Sequence, residues 1–429
     1  MTPLHELTAT GIVAAIHSGK TTAVAVAESF LAHIKLRELD VQAWNFLDPE
    51  LVLQQAHALD KGGQHGPLQG VPVGIKDIID TADMPTELGT AIHQGRRPTI
   101  DAACTALTRR AGGLIMGKTV TTEFANRFPG KTRNPHDASR TPGGSSSGSG
   151  AAVGAKMVPL AIGTQTTAST IRPASFCGCV GYVPTRGDIR TFGVMEAAAS
   201  FDTIGLIARS VDDINLFRNV LIGTPPEALP EIALGEARIG LVRTGFWDQC
   251  DADTQNFIEE FAECLARYGA RVNDVALPTA FDQIQDAHQW VSSFEFVRNR
   301  TFEIDHHWDA ISPTLRGGRI KDGTECSFAQ YGASREVLAR CSLMLDDLFG
   351  NYDILLTPAV AGEAPIGLNS TGNASFSTIW TGLNVPALTL PLHRGPNGLP
   401  VGIQFISRRY ADRTLLGYAR AVERKFSIM

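Results

Sequence analysis

Short apolar runs recur along this chain, and they constrain its fold more than any other feature. Segments with helical periodicity separate most of them. Strands that alternate with helices form sheets in which the connecting helices pack on the faces. We therefore predict an α/β fold class with a mixed β-sheet core covered by helices on both faces. The runs lie at 71–80, 111–120, 158–163, 237–243, 352–360, 387–392 and 399–407.

The stretch from about 245 to 345 has a different pattern, because amphipathic helical periodicity dominates it. We predict a helical region laid over the sheet. The first 40 residues predict two further helices, with Thr8 or Thr10 capping the first and Thr22 capping the second. The amphipathic segments of the helical region are 253–268, 281–302 and 327–348.

Charge and targeting signals argue against several classes of partner. The formal net charge is −6 and no block of basic residues is present, so we expect neither a nucleic acid nor an anionic membrane as partner. No stretch reaches the roughly 18 apolar residues of a membrane span, and residues 1–20 lack a secretory signal, so we expect a cytoplasmic protein. The seven cysteines form no C-x-x-C pair, and Cys177 and Cys179 have no second ligand pair at zinc-like spacing, so we expect no metal.

Residues 141–150 read TPGGSSSGSG, a composition that is also typical of a flexible linker. The segment that follows is apolar and rich in small residues, which is not expected of a linker between independent domains. We therefore predict a buried loop. Glycines in such a loop permit positive φ and close backbone approach, while backbone N–H groups can point at a developing oxyanion.

A hydrolase of unactivated amides needs a nucleophile, a base beside it and donors for the tetrahedral oxyanion. The eleven histidines offer no standard setting for the base, since no H-E-x-x-H motif occurs and the G-x-S-x-G pattern is present only in imperfect form. A serine–lysine design remains, because a lysine in a dry site loses its proton readily.

Several segments of the chain together resemble the amidase signature family of serine hydrolases. The resemblance covers nearly the whole chain and implies a single domain over 1–429, with core segments at about 60–240 and 350–429 and a substrate-side helical region at about 245–345. The segments are GVPVGIKD around Lys76, GLIMGKTVTTEFA at 113–125, RTPGGSSSGSGAA at 140–152, GTQTTASTIRPASFCG at 163–178, FDTIG at 201–205, and the closing WTGLNVPALTLP and LPVGIQFI.

The resemblance implies a catalytic Ser-cisSer-Lys triad. Lys76 would be the base, Ser145 the bridge and Ser169 the nucleophile that forms an acyl-enzyme. In the family the bridging serine follows a cis peptide bond, which here is Gly144–Ser145. The backbone N–H groups that would form the oxyanion hole belong to Thr166, Thr167, Ala168 and Ser169.

Two positions depart from the family's pattern. The chain has Thr167-Ala168 where the family usually has Gly-Gly before the nucleophile, and Gln165 where it usually has Asp. Positive φ is strained for a β-branched residue, so either Thr167 adopts a negative φ or the oxyanion loop is altered.

Arg172 provides the clue to the substrate. It follows the nucleophile by three residues, in S-T-I-R-P-A, whereas the commoner spacing is two. This spacing and the segment STGNASFSTIWT at 370–381 are similar to the malonamidase-type branch, in which the arginine binds the free carboxylate of a small acid amide. A guanidinium suits a carboxylate well. The alternative is an arginine that pins the loop through an internal ion pair.

The function implied by the resemblance is hydrolysis of the C–N bond of a small amide, without cofactor or metal, to a carboxylate and ammonia or an amine. The expected partner is the small-molecule amide substrate, and the family also suggests a homodimer. Three alternatives stay open. They are the glutaminase subunit of a tRNA-dependent amidotransferase, a carbamate or ester hydrolase, and a catalytically dead binding protein, the last motivated by Thr167-Ala168.

A few further residues could have a role in a site. Asp202 in FDTIG is interpreted as a structural cap rather than an acid catalyst. The adjacent His306 and His307 point apart on any regular element, which argues against a metal site. The helical region offers aromatic side chains for a pocket or for the core, namely Trp290, Phe294, Phe296, Trp308 and Tyr331.

Overall fold

A computed structural model of the protein describes residues 2–63 and 66–426; Met1, residues 64–65 and residues 427–429 of the predicted 1–429 domain lie outside the described residues. The strands are β1 (Trp44–Leu47), β2 (Pro72–Lys76), β3 (Leu114–Thr119), β4 (Leu160–Gln165), β5 (Val180–Val183), β6 (Thr203–Ala208), β7 (Arg238–Leu241), β8 (Arg271–Asp274), β9 (Ile354–Pro358), β10 (Ala387–Arg394) and β11 (Pro400–Ile406). Within the described ranges they form one sheet of eleven strands, in the order β1-β3-β2-β4-β6-β5-β10-β11-β9-β7-β8.

The sheet is mixed. Strand β2 pairs in parallel with β3 and β4, and β7 pairs in parallel with β8 and β9. The remaining pairs, among them β4 with β6 and β10 with β11, are antiparallel. Parallel neighbours need a crossover connection, and helical segments supply it.

Both faces of this sheet are covered. Every residue of β2, β3, β4, β5, β6, β9 and β11 is buried, although successive side chains of a strand point to opposite faces. The predicted α/β fold with a covered mixed sheet is therefore confirmed.

The α-helices pack on this sheet and around its edges. No helix of the described residues combines the length and the hydropathy that crossing a bilayer requires. The helices are α1 (Ala9–His17), α2 (Ala23–Val41), α3 (Pro49–Gly62), α4 (Ala103–Arg110), α5 (Ser147–Gly154), α6 (Ile171–Phe176), α7 (Val211–Ile222), α8 (Ala252–Arg267), α9 (Ile284–Asn299), α10 (Thr301–His306), α11 (Pro313–Leu315), α12 (Lys321–Glu325), α13 (Phe328–Leu348), α14 (Ser375–Gly382) and α15 (Asp412–Lys425).

All seven apolar runs contain a strand, namely β2, β3, β4, β7, β9, β10 and β11. The caps of the first two helices also follow the prediction. The Thr8 hydroxyl accepts the backbone N–H of Gly11 at 3.1 Å, and the Thr22 hydroxyl accepts that of Ala25 at 3.1 Å. Thr10 lies inside α1 and is not the cap.

The region from 245 to 345 is less uniform than its helical pattern indicates. Strand β8 lies within it and extends the sheet beside β7, and its four residues RVND are mostly exposed. The segment 281–302 is divided at Arg300, where α9 gives way to α10. Four strands lie outside the seven apolar runs. Strands β1 and β8 are short strands at the two edges of the sheet, whereas β5 and β6 are buried strands that the runs did not mark.

Close packing between α6 and the sheet sets the position of the residues just before α6. A Cβ atom at Gly205 in β6 would lie 2.0 Å from the Thr170 hydroxyl, and one at Gly181 in β5 would lie 2.4 Å from the Ala174 methyl. Only glycine permits this approach. The loop between β4 and α6 is thereby held against the middle of the sheet.

Candidate active site

Lys76 is the last residue of β2 and is fully buried. Its Nζ lies 2.7 Å from the Ser145 hydroxyl and 2.7 Å from the Thr164 hydroxyl. Burial disfavours the ammonium form and lowers the pKa of Lys76 to about 7, while the charge of Asp202 acts in the opposite direction. Lys76 can therefore exchange a proton with Ser145 near neutral pH.

The Gly/Ser segment is buried from 141 to 150 and is not a linker, but the predicted loop covers only residues 141–146, because 147–150 form the first turn of α5. The Gly144–Ser145 peptide bond is cis, as the resemblance implied. Gly143 has a φ of 81°, in the region that glycine favours. These two features place the Ser145 hydroxyl beside Lys76, and α5 begins two residues later.

Ser169 lies in the loop between β4 and α6 and is 8% exposed. Its carbonyl accepts the backbone N–H of Ser146 at 3.2 Å, which ties the two loops together. Of the two hydrogen bonds that the relay needs, the Lys76–Ser145 bond is present, whereas the hydroxyls of Ser145 and Ser169 do not hydrogen-bond to each other. A change of the Ser169 χ1 rotamer is the simplest way to make this second bond.

The loop 166–169 meets the requirement for an oxyanion hole. None of its four backbone N–H groups donates to an acceptor in the part of the chain that the structure describes. Buried N–H groups normally find an acceptor, so four free donors beside a serine indicate a site for negative charge. Neither Thr167 nor Ala168 has a positive φ, so the threonine causes no left-handed strain.

Side chains from other elements hold the carbonyl groups of this loop. The Nε2–H of His288 on α9 donates to the Thr166 carbonyl at 2.7 Å, and the Thr381 hydroxyl on α14 donates to the Thr167 carbonyl at 2.8 Å. Burial lowers the pKa of His288 to about 4, so the ring is neutral at pH 7 and Nε2 carries its proton.

Gln165, which stands where the family usually has Asp, is occupied by structural hydrogen bonds. Its Oε1 accepts the backbone N–H groups of Thr170 and Ile171, at 2.9 and 3.1 Å, and its Nε2 donates to Thr381 at 2.9 Å. A glutamine can accept and donate at once, whereas an ionised aspartate only accepts. The substitution therefore couples the start of α6 to α14 without adding a charge near Lys76.

Asp202 is the acidic group whose charge acts on Lys76. Its carboxylate accepts the Thr166 hydroxyl at 2.6 Å and the backbone N–H groups of Ala197 and Ala198 at 2.7 and 2.9 Å. Burial raises the pKa of Asp202 to about 6, against the lowering effect of these hydrogen bonds. The geometry agrees with a structural cap and adds a tether to the first residue of the oxyanion loop.

Arg172 lies in the first turn of α6 and is 7% exposed. Its Nε and one terminal nitrogen donate to the Gly144 carbonyl at 3.2 and 2.6 Å, and the other terminal nitrogen donates to the Gly372 carbonyl. No described carboxylate pairs with it, so the internal ion pair is absent. Burial, together with the charge of Arg127, lowers the pKa of Arg172 to about 9. Three bonds to carbonyls leave two of the five guanidinium N–H donors for a ligand.

A cavity of about 480 Å³ opens above Ser169. Loop 166–169 and Arg172 form one side, and residues of the helical region form the opposite side. This location agrees with a substrate-side helical region. The aromatic residues that the sequence offered for a pocket or for the core do not line this cavity. Instead α9 presents polar residues to it, namely Gln285, His288, Gln289 and Ser293, and none of Trp290, Phe294, Phe296, Trp308 and Tyr331 is part of its lining.

Sequence reasoning missed three residues that hold the site together, Thr164, His288 and Thr381. Thr164 stands in the G-T-x-T segment that carries the nucleophile, so its neighbourhood was a usable signal. The Ser146 hydroxyl exchanges hydrogen bonds with the backbone of Thr164 and so adds to the support of this segment. His288 had no local signal, because a histidine on an amphipathic helix is most often a packed one.

Residues 25–416 match the profile of a protein family described as Amidase. The chain is 33% identical to a glutamyl-tRNA(Gln) amidotransferase subunit from Chloroflexus aggregans, over 99% of this chain and 97% of the relative. It resembles a crystal structure described as an amidase, with a TM-score of 0.90 and 26% identity over 98% of this chain and 100% of that one. It also resembles the peptide amidase PAM in complex with the competitive inhibitor chymostatin, with a TM-score of 0.85 and 27% identity over 99% and 98% of the two chains.

Proposed function

The chain belongs to the amidase signature family and is an amide-hydrolysing enzyme, and on this premise we propose that its substrate is a small amide with a free carboxylate, of the malonamate type. The observation that carries the proposal is Arg172. Its guanidinium is almost completely buried, has no acidic partner among the described residues, and lines the cavity that Ser169 lines. A buried cation of this kind is stabilised by an anionic ligand.

The reaction proceeds through Lys76, Ser145 and Ser169. Neutral Lys76 accepts the Ser145 proton while Ser145 accepts that of Ser169, and Ser169 Oγ bonds to the amide carbonyl carbon. The carbonyl oxygen becomes an oxyanion that the N–H groups of loop 166–169 stabilise. The proton returns through Ser145 to the leaving nitrogen as the C–N bond breaks, and water then releases the acid from the acyl-enzyme by the same relay.

Arg172 orients the substrate in this scheme. It follows the nucleophile by three residues, and both Arg172 and Ser169 line the same cavity. A carboxylate two or three bonds from the amide then pairs with the two remaining N–H donors while the amide carbonyl reaches the oxyanion loop. Fixing both ends of a small substrate supplies the orientation that catalysis needs.

A second candidate function follows from the likeness to the amidotransferase protein. In that case the substrate is glutamine, the ammonia passes to another protein, and the chain alone works poorly. The S-T-I-R-P-A spacing favours the malonamate-type acid over this candidate. Carbamates and esters fit the same triad chemistry, whereas a dead binding protein is disfavoured by the four free N–H groups of loop 166–169.

Ammonia release from a panel of malonamate, neutral aliphatic amides, aryl amides and glutamine tests the proposal. We expect malonamate to give the highest kcat/KM. Ser169→Ala should lower this kcat/KM by about 10⁴-fold or more. Arg172→Gln should lower kcat/KM by about 100-fold for malonamate, since a buried charge-assisted pair is lost.

Neutral amides are the internal control for Arg172→Gln. If their hydrolysis falls as far as that of malonamate, the substitution has disturbed the loop rather than carboxylate binding. Turnover of neutral amides alone by the wild type would overturn the carboxylate assignment, and a preference for glutamine would favour the second candidate.

A further inference from the structure

Among the described residues, three arginines and one acidic residue line the cavity above Ser169. Arg172 lies buried at the floor, Arg319 is half-buried, and Arg127 is exposed at the rim. The acidic residue is Asp322, whose carboxylate accepts Gln289 Nε2 at 2.8 Å. The lining of the cavity therefore carries a surplus of two positive charges, more than one substrate carboxylate neutralises.

Arg319 is placed by an irregular element. Residues Arg316–Ile320 form a π-helical turn between α11 and α12, and Gly318 within it has φ −109° and ψ −108°, outside the helical region. Single π-helical turns are frequently found at functional sites. The guanidinium carbon of Arg319 lies 5.8 Å from the centroid of the Phe296 ring, and within residues 2–63 and 66–426 its side chain makes no hydrogen bond or ion pair. The fold thus presents a supported guanidinium with all its donors free.

Arg127 comes from a different segment of the chain. It follows a 3₁₀ turn at Glu123–Ala125 in which Phe124 and Ala125 have φ of 46° and 55°. Ala125, Asn126 and Arg127 line the cavity, and Arg127 pairs with no carboxylate in the described part of the chain.

The three positive charges act on one another. The charge of Arg127 adds to burial in lowering the pKa of Arg172 to about 9 and that of Arg319 to about 10. Asp202 and Asp322 act on Arg319 in the opposite direction and do not cancel the shift. Like charges gathered in a partly buried cavity are relieved by bound anions.

We propose that Arg127 and Arg319 form a second anion-binding subsite, and that the preferred substrate carries a second carboxylate besides the one held by Arg172. The inference rests on the proposed function for the amide chemistry and narrows the substrate class to the amide of an acid with two further carboxylates. A cavity of about 480 Å³ has room for it. One carboxylate sits at the floor near Ser169 and the other at the wall and rim.

Direct binding of product-like acids tests the subsite without any turnover. Hydrolysis of such an amide yields a tricarboxylate, so tricarballylate represents the product with both subsites filled and succinate the product with one. Isothermal titration calorimetry on the wild type should show tricarballylate binding about tenfold more tightly than succinate, the gain expected of one charge-assisted pair.

Arginine variants show which residues cause the preference for tricarballylate over succinate. Arg319→Gln should remove most of it and Arg127→Gln part of it, since the rim residue is more exposed to solvent. Arg172→Gln should weaken both acids to a similar extent. Arg110→Gln removes the same charge from an exposed position on α4 that does not line the cavity, and should change neither affinity.

Equal affinity of the wild type for the two acids overturns the proposal, as does a tricarballylate preference that survives in the Arg127→Gln/Arg319→Gln double variant. Failure of the proposed function has a different signature, because it appears as absence of ammonia release from carboxylate-bearing amides. Absence of the calorimetric preference in the wild type, together with malonamate hydrolysis by the same wild type, rejects the second subsite alone.

Discussion

The cavity has two sides that are built differently. The catalytic layer consists of Lys76, Ser145, Thr164 and loop 166–169, is buried, and has its side chains and carbonyls held by other protein groups. The helical wall is polar and partly exposed, and groups such as the Arg319 guanidinium have no acceptor in the described part of the chain. In the proposed function, this difference separates the groups assigned to the chemistry from those assigned to substrate selection. The helical wall consists of Gln285, His288, Gln289, Ser293, Gly318, Arg319 and Asp322.

The largest effect is expected in the catalytic layer, from Lys76→Met. It removes the proton acceptor of the relay, and kcat should fall by about 10⁴-fold or more. A methionine fills much of the same apolar space, so the fold should persist. Steady-state kinetics and circular dichroism check both parts; retention of a tenth of the wild-type kcat would remove Lys76 from the mechanism.

The same variant has a stability signature. The pKa of Lys76 is about 7 in the fold against 10.5 for a free lysine, so between these values the unfolded chain binds a proton that the folded chain lacks. The wild type should gain up to about 1.4 kcal/mol of unfolding free energy per pH unit over this window relative to Lys76→Met. Urea unfolding at pH 7, 8 and 9 measures the difference, and parallel stability curves would contradict the buried, depressed lysine.

Variants of His288 test the distinction between the two sides of the cavity. This histidine belongs to the helical wall, yet its Nε2–H holds the Thr166 carbonyl of the catalytic layer. His288→Phe leaves that buried carbonyl without its donor, at a cost of about 1–3 kcal/mol, and kcat should fall about tenfold with KM little changed. His288→Gln retains an N–H donor and should keep more of the activity. A rise in KM at unchanged kcat would place His288 with the substrate-selecting groups only.

Substitution of Asp202 should change the pH profile of kcat/KM rather than the maximal rate. An ionised Asp202 raises the pKa of Lys76, so Asp202→Asn should lower that pKa and move the acid limb of kcat/KM, near pH 7 in the wild type, to lower pH by about one unit. Asparagine can still accept the N–H groups of Ala197 and Ala198 and bond to Thr166. Profiles of kcat/KM from pH 5 to 9 provide the measurement.

Thr166→Val is the matched control for this shift. It removes the hydrogen bond to Asp202, which raises the pKa of that carboxyl but does not delete the group, so kcat should fall and the acid limb should move less than in Asp202→Asn. Glu196, Arg300 and Arg319 also act electrostatically on Asp202 or respond to it, and both variants leave them unchanged. An unmoved limb in Asp202→Asn would mean that these neighbours, not Asp202, set the field at Lys76.

The catalytic layer was largely predictable from the sequence, and the helical wall was not. Lys76, Ser145 and Ser169 lie in contiguous segments whose resemblance to the amidase signature family implied the relay and the cis Gly144–Ser145 bond, and the structure has the Lys76–Ser145 contact and that cis bond. Most strands buried on both faces likewise coincide with apolar runs.

The residues of the helical wall show no comparable pattern in the sequence. Its residues are polar positions on amphipathic helices, and such positions most often face solvent. The π-helical turn that presents Arg319 depends on a local irregularity after Gly317-Gly318, which periodicity does not reveal. Aromatic residues were the natural guess for a pocket, but Phe294 and Phe296 are buried in the packing of α9 and polar neighbours line the cavity.

The smallest effect is expected in the helical wall, from Asp322→Asn. It is the most direct test of whether the helical wall acts on substrate binding alone. Asp322 provides the negative charge in the lining of the cavity, and it is partly exposed, so solvent screens it. Removing the charge should lower KM for a carboxylate-bearing amide by about threefold and leave kcat and the KM of a neutral amide unchanged. This difference in KM should shrink in 0.5 M salt, where the Debye length is about 4 Å. A change in kcat instead would mean that the wall participates in the chemistry, and the two sides would then have to be treated as one site.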